Sequence, residues 1–136
     1  MLRIDETEFP FPSNSNMSAQ FFSQPIAQIS VEELAQRLNS GVTEELQLVD
    51  VREPEEVAIA RLEDFDILPL SQFAQWADQI QTQYDPHAET LVMCHHGIRS
   101  AQMCQWLSRE GFTNVKNVAG GIDAYSLLVD PTILRY

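Results

Sequence analysis

An alternation of hydrophobic period constrains this chain more than any other feature. Leu46-Gln47-Leu48-Val49-Asp50-Val51, Thr90-Leu91-Val92-Met93 and Val115-Lys116-Asn117-Val118 are short runs rich in branched apolar residues. Between them lie stretches whose apolar residues recur every third or fourth position. The first pattern is that of strands, the second that of amphipathic helices. Thr90 to Met93 is apolar without alternation, so both faces of that strand must be buried. Strands covered on both sides and joined by helices predict an α/β domain with a central parallel β-sheet flanked by helices on both faces. With 136 residues, the length prior is one such domain.

The helices carry their own punctuation. Ser30 and Glu33 have capping-box spacing, and Val31, Leu34, Ala35 and Leu38 follow at helical period until Gly41. Arg52 to Glu56 reads as a turn in which Pro54 starts a short helix, and Ile67-Leu68 as a brief strand. Phe73, Trp76, Ala77 and Ile80 predict one helix from Ser71 to Tyr84, closed by Asp85-Pro86. Ser100, Met103, Cys104 and Leu107 line one face of a helix that Gly111 ends, and Gly120-Gly121 open a last helical piece from Ile122 to Leu127. Residues 1–24 interleave Pro, Ser and Asn with Phe and show neither period. They are expected to be a flexible N-terminal extension to a domain spanning 25–136, either fully disordered or packing a phenylalanine or two on the domain surface, with Met17 an alternative start.

Charge excludes several classes of partner. Eight Lys and Arg face 20 Asp and Glu, a net charge of −12, and Lys116 is the one lysine. Binding nucleic acid through its phosphates needs a basic face, so no nucleic-acid partner is expected, and anionic membranes are disfavoured for the same reason. No apolar run reaches the roughly 18 residues of a membrane span, and the first residues are acidic where a secretory signal is basic. Two cysteines, Cys94 and Cys104, make no disulfide framework and fit a reducing compartment. The expected location is cytoplasmic.

The chemistry concentrates in Cys94-His95-His96-Gly97-Ile98-Arg99-Ser100, between a buried strand and a helix. Ligands of open parallel sheets bind at the carboxyl ends of strands, where the following helix points free amides and its positive dipole end. Amides aimed at a cysteine there stabilise its thiolate. Gly97 lets the loop curl with its amides inward, as an anion-binding nest requires. Arg99 either pairs with a bound anion or bridges to a carboxylate of this acidic chain. Adjacent side chains diverge, and His95 and His96 lack metal-ligand spacing with Cys94, so no metal is expected. One or both are read as exposed groups that gain charge as pH falls toward about 6.5. Cys104 falls on the apolar helical face, as a core residue too far from the loop to act as a resolving thiol. Asp50 and Arg52, near a strand end, either enter the rim of the site or pair structurally, and pairing is the favoured expectation.

Cys94-x-x-Gly97-x-Arg99-Ser100 resembles the active-site loop of the rhodanese (thiosulfate sulfurtransferase) family. Three more segments are similar to that family's pattern, in order: Leu48 to Glu56, Leu68-Pro69-Leu70, and Val118 to Tyr125. Together they cover about residues 25–128. The resemblance implies the rhodanese-like fold and a sulfurtransferase without a cofactor. In that role Cys94 is the nucleophile, taking the outer sulfur of a small donor, thiosulfate or a persulfide, and passing it to a thiol or cyanide. It implies that the loop amides from His95 to Ser100 hold the anion, that Arg99 pairs with it or braces the loop, and that Ser100 caps the helix. A sulfur-relay protein is a further partner it allows. The chain departs from the family at Ala60-Arg61-Leu62-Glu63-Asp64-Phe65, where a GHIPGA-type stretch is missing, and at Tyr125, which stands for a usual Trp.

Two rival readings remain. A non-catalytic sulfur-carrier or partner-binding module gains weight from the net charge, which repels thiosulfate at long range. A cysteine phosphatase or arsenate reductase is less expected, because those loops place one residue more between Cys and Arg than the four here.

Overall fold

A computed structural model describes residues 25–136 apart from 42 and 44. The expectations for residues 1–24 and Met17 lie outside the described residues. In chain order the elements are β1 (Gln28–Ile29), α1 (Val31–Asn39), β2 (Gln47–Asp50), α2 (Pro54–Ile59) and β3 (Asp66–Ile67). Then come α3 (Phe73–Trp76), α4 (Ile80–Gln83), β4 (Thr90–Met93), α5 (Ile98–Arg109), β5 (Val115–Val118) and α6 (Gly121–Leu128). The five strands form one sheet in the order β1-β5-β4-β2-β3, and every pair is parallel. The edge strand β1 was not anticipated, since two residues carry no readable period.

The side chains of β4 divide the core. Leu91 and Met93 join Leu34 and Ala35 of α1 and Ile122 and Tyr125 of α6 in one buried cluster. Val92 and Cys94 point the other way, into a cluster with Trp76 of α3, Ile80 of α4, and Met103, Cys104 and Leu107 of α5. The alternation of strand side chains thus covers both faces of the sheet, which is why the central strand has no polar face. Tyr125 fills an aromatic position in the first cluster, joined by Ala60, Leu62 and Phe65 from the divergent stretch.

Local signals explain most boundaries. The Ser30 hydroxyl accepts from the Glu33 amide at 3.1 Å and caps α1. Glu53 caps α2 in a full capping box with Glu56, and Pro54 opens the helix. Segment 71–84 departs from the single helix expected of it. It is broken into short 3-10 turns, Leu70–Gln72 and Ala77–Gln79, alternating with α3 and α4. Trp76 explains the break in part: its indole is buried and donates to the Pro69 carbonyl at 2.9 Å, holding the segment against its own start.

Candidate active site

Cys94 follows the last residue of β4, the central strand, between the ends of β2 and β5. Its side chain is 1% exposed. The loop wraps the sulfur: Sγ accepts from the Gly97 amide at 3.1 Å and the Ser100 amide at 3.4 Å, and lies 3.3 Å from the Ser100 hydroxyl. Gly97 holds φ = +95°, a left-handed conformation that turns the chain into α5. Gly97 therefore occupies the cap position of α5, and Ser100 is inside the first turn. The expectation that Ser100 caps the helix is corrected, because its hydroxyl turns inward toward the thiol and toward the Asn117 side-chain oxygen. A hydroxyl carries one proton, so it donates to the sulfur or to Asn117, one at a time.

A second helix start braces the loop from behind. The amides of Ile122 and Asp123, in the first turn of α6, donate to the Cys94 carbonyl at 3.0 Å and the His95 carbonyl at 3.1 Å. Contact is so close that a Cβ on Gly121 would lie 2.4 Å from both oxygens. Asn117, a buried amide on β5, donates to the Gly97 carbonyl at 3.0 Å and to Gln28 at 3.1 Å. Two helix N-termini thus serve one loop, α5 toward the thiol and α6 toward the backbone that carries it.

Arg99, on the first turn of α5, is bound bidentately by Glu56 at 2.7 and 2.9 Å. Burial alone raises the Glu56 carboxyl, but bonds from Arg99, the Glu53 amide and Tyr136 outweigh it and hold the group down at about 2. The Tyr136 hydroxyl donates to Glu56 at 3.0 Å and accepts from Arg52 at 2.9 Å. Arg52 in turn pairs with Asp50, both side chains fully buried. Two ion pairs are thereby joined through one phenol, and Asp50 and Arg52 act as structure, the role expected of them. Burial, only partly offset by the Arg52 bond, pushes the Tyr136 phenol up to about 12.

His95 and His96 do not diverge as expected. Their rings lie 3.9 Å apart, and the other side of His95 stacks on Tyr136 at 3.8 Å and 7°. Burial, with the charge of His96, lowers the His95 pKa, and its Nε2 is buried with no hydrogen-bond partner among the described residues. His96 Nδ1 lies 3.8 Å from Asp123, which Arg135 also binds at 2.9 Å. Ile98 opens α5 with an exposed side chain. Cys104 is buried in the core cluster, and burial, with the nearby Cys94, pushes its thiol up. Among the described residues no group of three or more His, Cys, Asp or Glu is placed to hold a metal ion.

The sequence matches the rhodanese-like domain family over residues 30–128. The chain belongs to the rhodanese-like domain family. This rhodanese-like domain is 46% identical over 114 residues to an Arabidopsis thaliana protein named Rhodanese-like/PpiC domain-containing protein 12, chloroplastic. That match takes in 83% of the chain but only 38% of the relative's length. It is also 34% identical over 101 residues to a protein of Allochromatium vinosum named Sulfurtransferase, covering 74% of this chain and 89% of that one. Among solved structures, a rhodanese-like domain protein from Staphylococcus aureus superposes with a TM-score of 0.64 at 24% identity, covering 82% of this chain and 99% of that one, a likeness of fold.

Glu56, Asn117 and Tyr136 belong to the site and were not singled out from sequence as parts of it. Asn117 left a faint signal, an amide just before the last apolar residue of its strand. Glu56 was one of three glutamates in a short turn, and Tyr136 left none.

Proposed function

We propose that this domain is a sulfurtransferase in which Cys94 carries sulfane sulfur as a persulfide. The observation that carries this reading is the convergence of the Gly97 amide, the Ser100 amide and the Ser100 hydroxyl on one cysteine sulfur. Fixed donors aimed at a sulfur stabilise its anion, whether thiolate or persulfide, without reorganisation. In the first step the Cys94 thiolate attacks the outer sulfur of a donor. The donor's S–S bond breaks and its inner part leaves with the electron pair, as sulfite from thiosulfate or as a thiolate from a persulfide. In the second, a thiol (as its thiolate) or cyanide attacks the outer sulfur of the Cys94 persulfide and Cys94 leaves as thiolate. The cycle is ping-pong and needs no cofactor.

Within this reading Cys94 is the nucleophile, and the loop backbone of His95, His96, Gly97, Ile98, Arg99 and Ser100 is the anion cradle. Arg99 braces that cradle through Glu56. The domain is taken as 25–136. Both cysteines are free thiols, which suits a reducing compartment such as the cytoplasm. No helix among the described residues is long and apolar enough to cross a membrane. A sulfur carrier fed by one relay protein is the second reading, favoured by the burial of Cys94, which a docking partner would uncover.

Intact mass of the reduced protein before and after thiosulfate or glutathione persulfide tests the proposal. Gain of one sulfur atom, lost in Cys94→Ser and kept in Cys104→Ser, is the expected result. A wild type that takes sulfur from a protein persulfide but from neither small donor would favour the carrier.

A further inference from the structure

We propose that Glu56 sets the choice of sulfur donor, acting through Arg99 to favour persulfides, whose reacting R–S–SH group is neutral, over dianionic thiosulfate. The proposal rests on the Cys94 persulfide reading and concerns what that site accepts.

The argument is a count of charge around the cradle. Thiosulfate brings two negative charges to a thiolate and releases sulfite with two, so its transition state gathers three. A persulfide R–S–SH attacked by the same thiolate yields the Cys94 persulfide and R–S⁻, and gathers one. Amides and helix ends supply partial charges of roughly half a unit, enough for the second case and short of the first. A free cation beside the loop would supply the difference. Arg99 is the cation within the loop, and Glu56 holds both of its terminal nitrogens. Among the described residues the other cations near the loop are likewise matched: Arg52 by Asp50 and Arg135 by Asp123. His96 faces Asp123 as well. The rim is neutral by pairing, on a chain whose net charge of −12 repels dianions more than monoanions at long range.

Glu56 is itself well secured. It accepts two bonds from Arg99, one from the Glu53 amide at 2.9 Å and one from the Tyr136 hydroxyl. A carboxylate so saturated does not release Arg99 to a passing anion. Replacing it by a neutral amide removes one negative charge from directly beside the guanidinium.

The test compares second-order rate constants for Cys94 persulfide formation, read by rapid quench and intact mass, with thiosulfate and with glutathione persulfide. Expected for the wild type is a preference of at least tenfold for the persulfide. In Glu56→Gln the ratio of the thiosulfate to the persulfide rate rises at least tenfold. Tyr136→Phe, which removes one of the four bonds on Glu56 and leaves the ion pair, moves the ratio the same way by less, and decides the matter should Glu56→Gln fail to fold. A merely structural role would slow both donors together and leave the ratio unmoved. A wild type that prefers thiosulfate, or a ratio unchanged in the folded variants, overturns the proposal while leaving the persulfide reading intact. No sulfur on Cys94 from either small donor overturns the donor preference, and no sulfur from a protein persulfide as well overturns the persulfide reading with it.

Discussion

Arg99 and Glu56 meet through two parallel hydrogen bonds of 2.7 and 2.9 Å although 43 positions separate them. The sheet order makes this possible. β2 and β4 are neighbours and parallel, so the helices that follow them, α2 and α5, begin side by side at the same edge. A fork-to-fork pair between two helix starts then ties the Cys94 loop to the turn after β2.

Glu56→Gln is expected to cost about 3 kcal/mol, the low end for breaking a buried ion pair. The loss depends on pH with a definite sign. In the folded protein the carboxyl is held at about 2, below its ordinary 4.5. Its contribution is therefore complete above about 4.5 and disappears as pH falls toward 2. Urea unfolding of the two proteins at pH 7 and near pH 3 should show their difference shrinking at the lower pH. A constant difference would mean that the ion pair is not what stabilises.

Gly121→Ala should be far more damaging than Gly111→Ala. Both glycines hold positive φ, +62° and +101°, and each substitution carries the left-handed cost of about 1–2 kcal/mol. At Gly111 a Cβ meets nothing within 4 Å. At Gly121 it meets the Cys94 and His95 carbonyls at 2.4 Å, so the loop must move. Thermal melts should separate the two variants by several degrees, and only the Gly121 variant should lose sulfur uptake at a temperature where both are folded.

Cys104→Ala should keep sulfur uptake and cost about 1 kcal/mol, the scale of one buried methylene-sized group. Burial pushes the Cys104 thiol up, so in the native protein it is a poor nucleophile. Iodoacetamide followed by peptide mapping should label Cys104 only after unfolding. Labelling of the folded protein would show an opening of the α5 face that the core packing does not provide.

The parts of this architecture that follow from local chemistry were legible in the sequence. Thr90 to Met93 has no polar face, and it is the central strand, buried on both sides. Gly97 and Gly120 ahead of helices, and Gly111 after one, are positions where only glycine turns the backbone at little cost. What was not legible depends on which elements become neighbours. Glu53, Glu55 and Glu56 are equal candidates for Arg99 until the angle of α2 against β4 selects one. The turn of Ser100 toward Cys94 depends on Asn117, which the sheet brings alongside. The His95 and His96 rings face each other because Tyr136 stacks on the outer side of His95, and no pattern in residues 94–100 foretells a residue at 136. The break in segment 71–84 is a tertiary effect too, since its helical period is intact and the bond from Trp76 to Pro69 overrides it.

Tyr136→Ala should raise the pKa of His95 toward its ordinary 6.5. In the native protein burial is the main cause that lowers it, with the charge of His96 second, and the stacked phenol at 3.8 Å supplies much of that burial. A histidine whose folded pKa lies below its unfolded value is neutral by constraint. Stability is then full above about 6.5 and falls as pH drops through the folded value, because the unfolded chain takes up the proton first. Removing the ring should flatten that part of the pH–stability curve as well as move the titration. NMR titration of the imidazole carbons, assigned against His96→Gln, reads the first effect, and urea midpoints between pH 7 and 5 read the second. A His95 titration unmoved by Tyr136→Ala would show that the phenol contributes hydrogen bonds to Arg52 and Glu56 but no shielding of the loop.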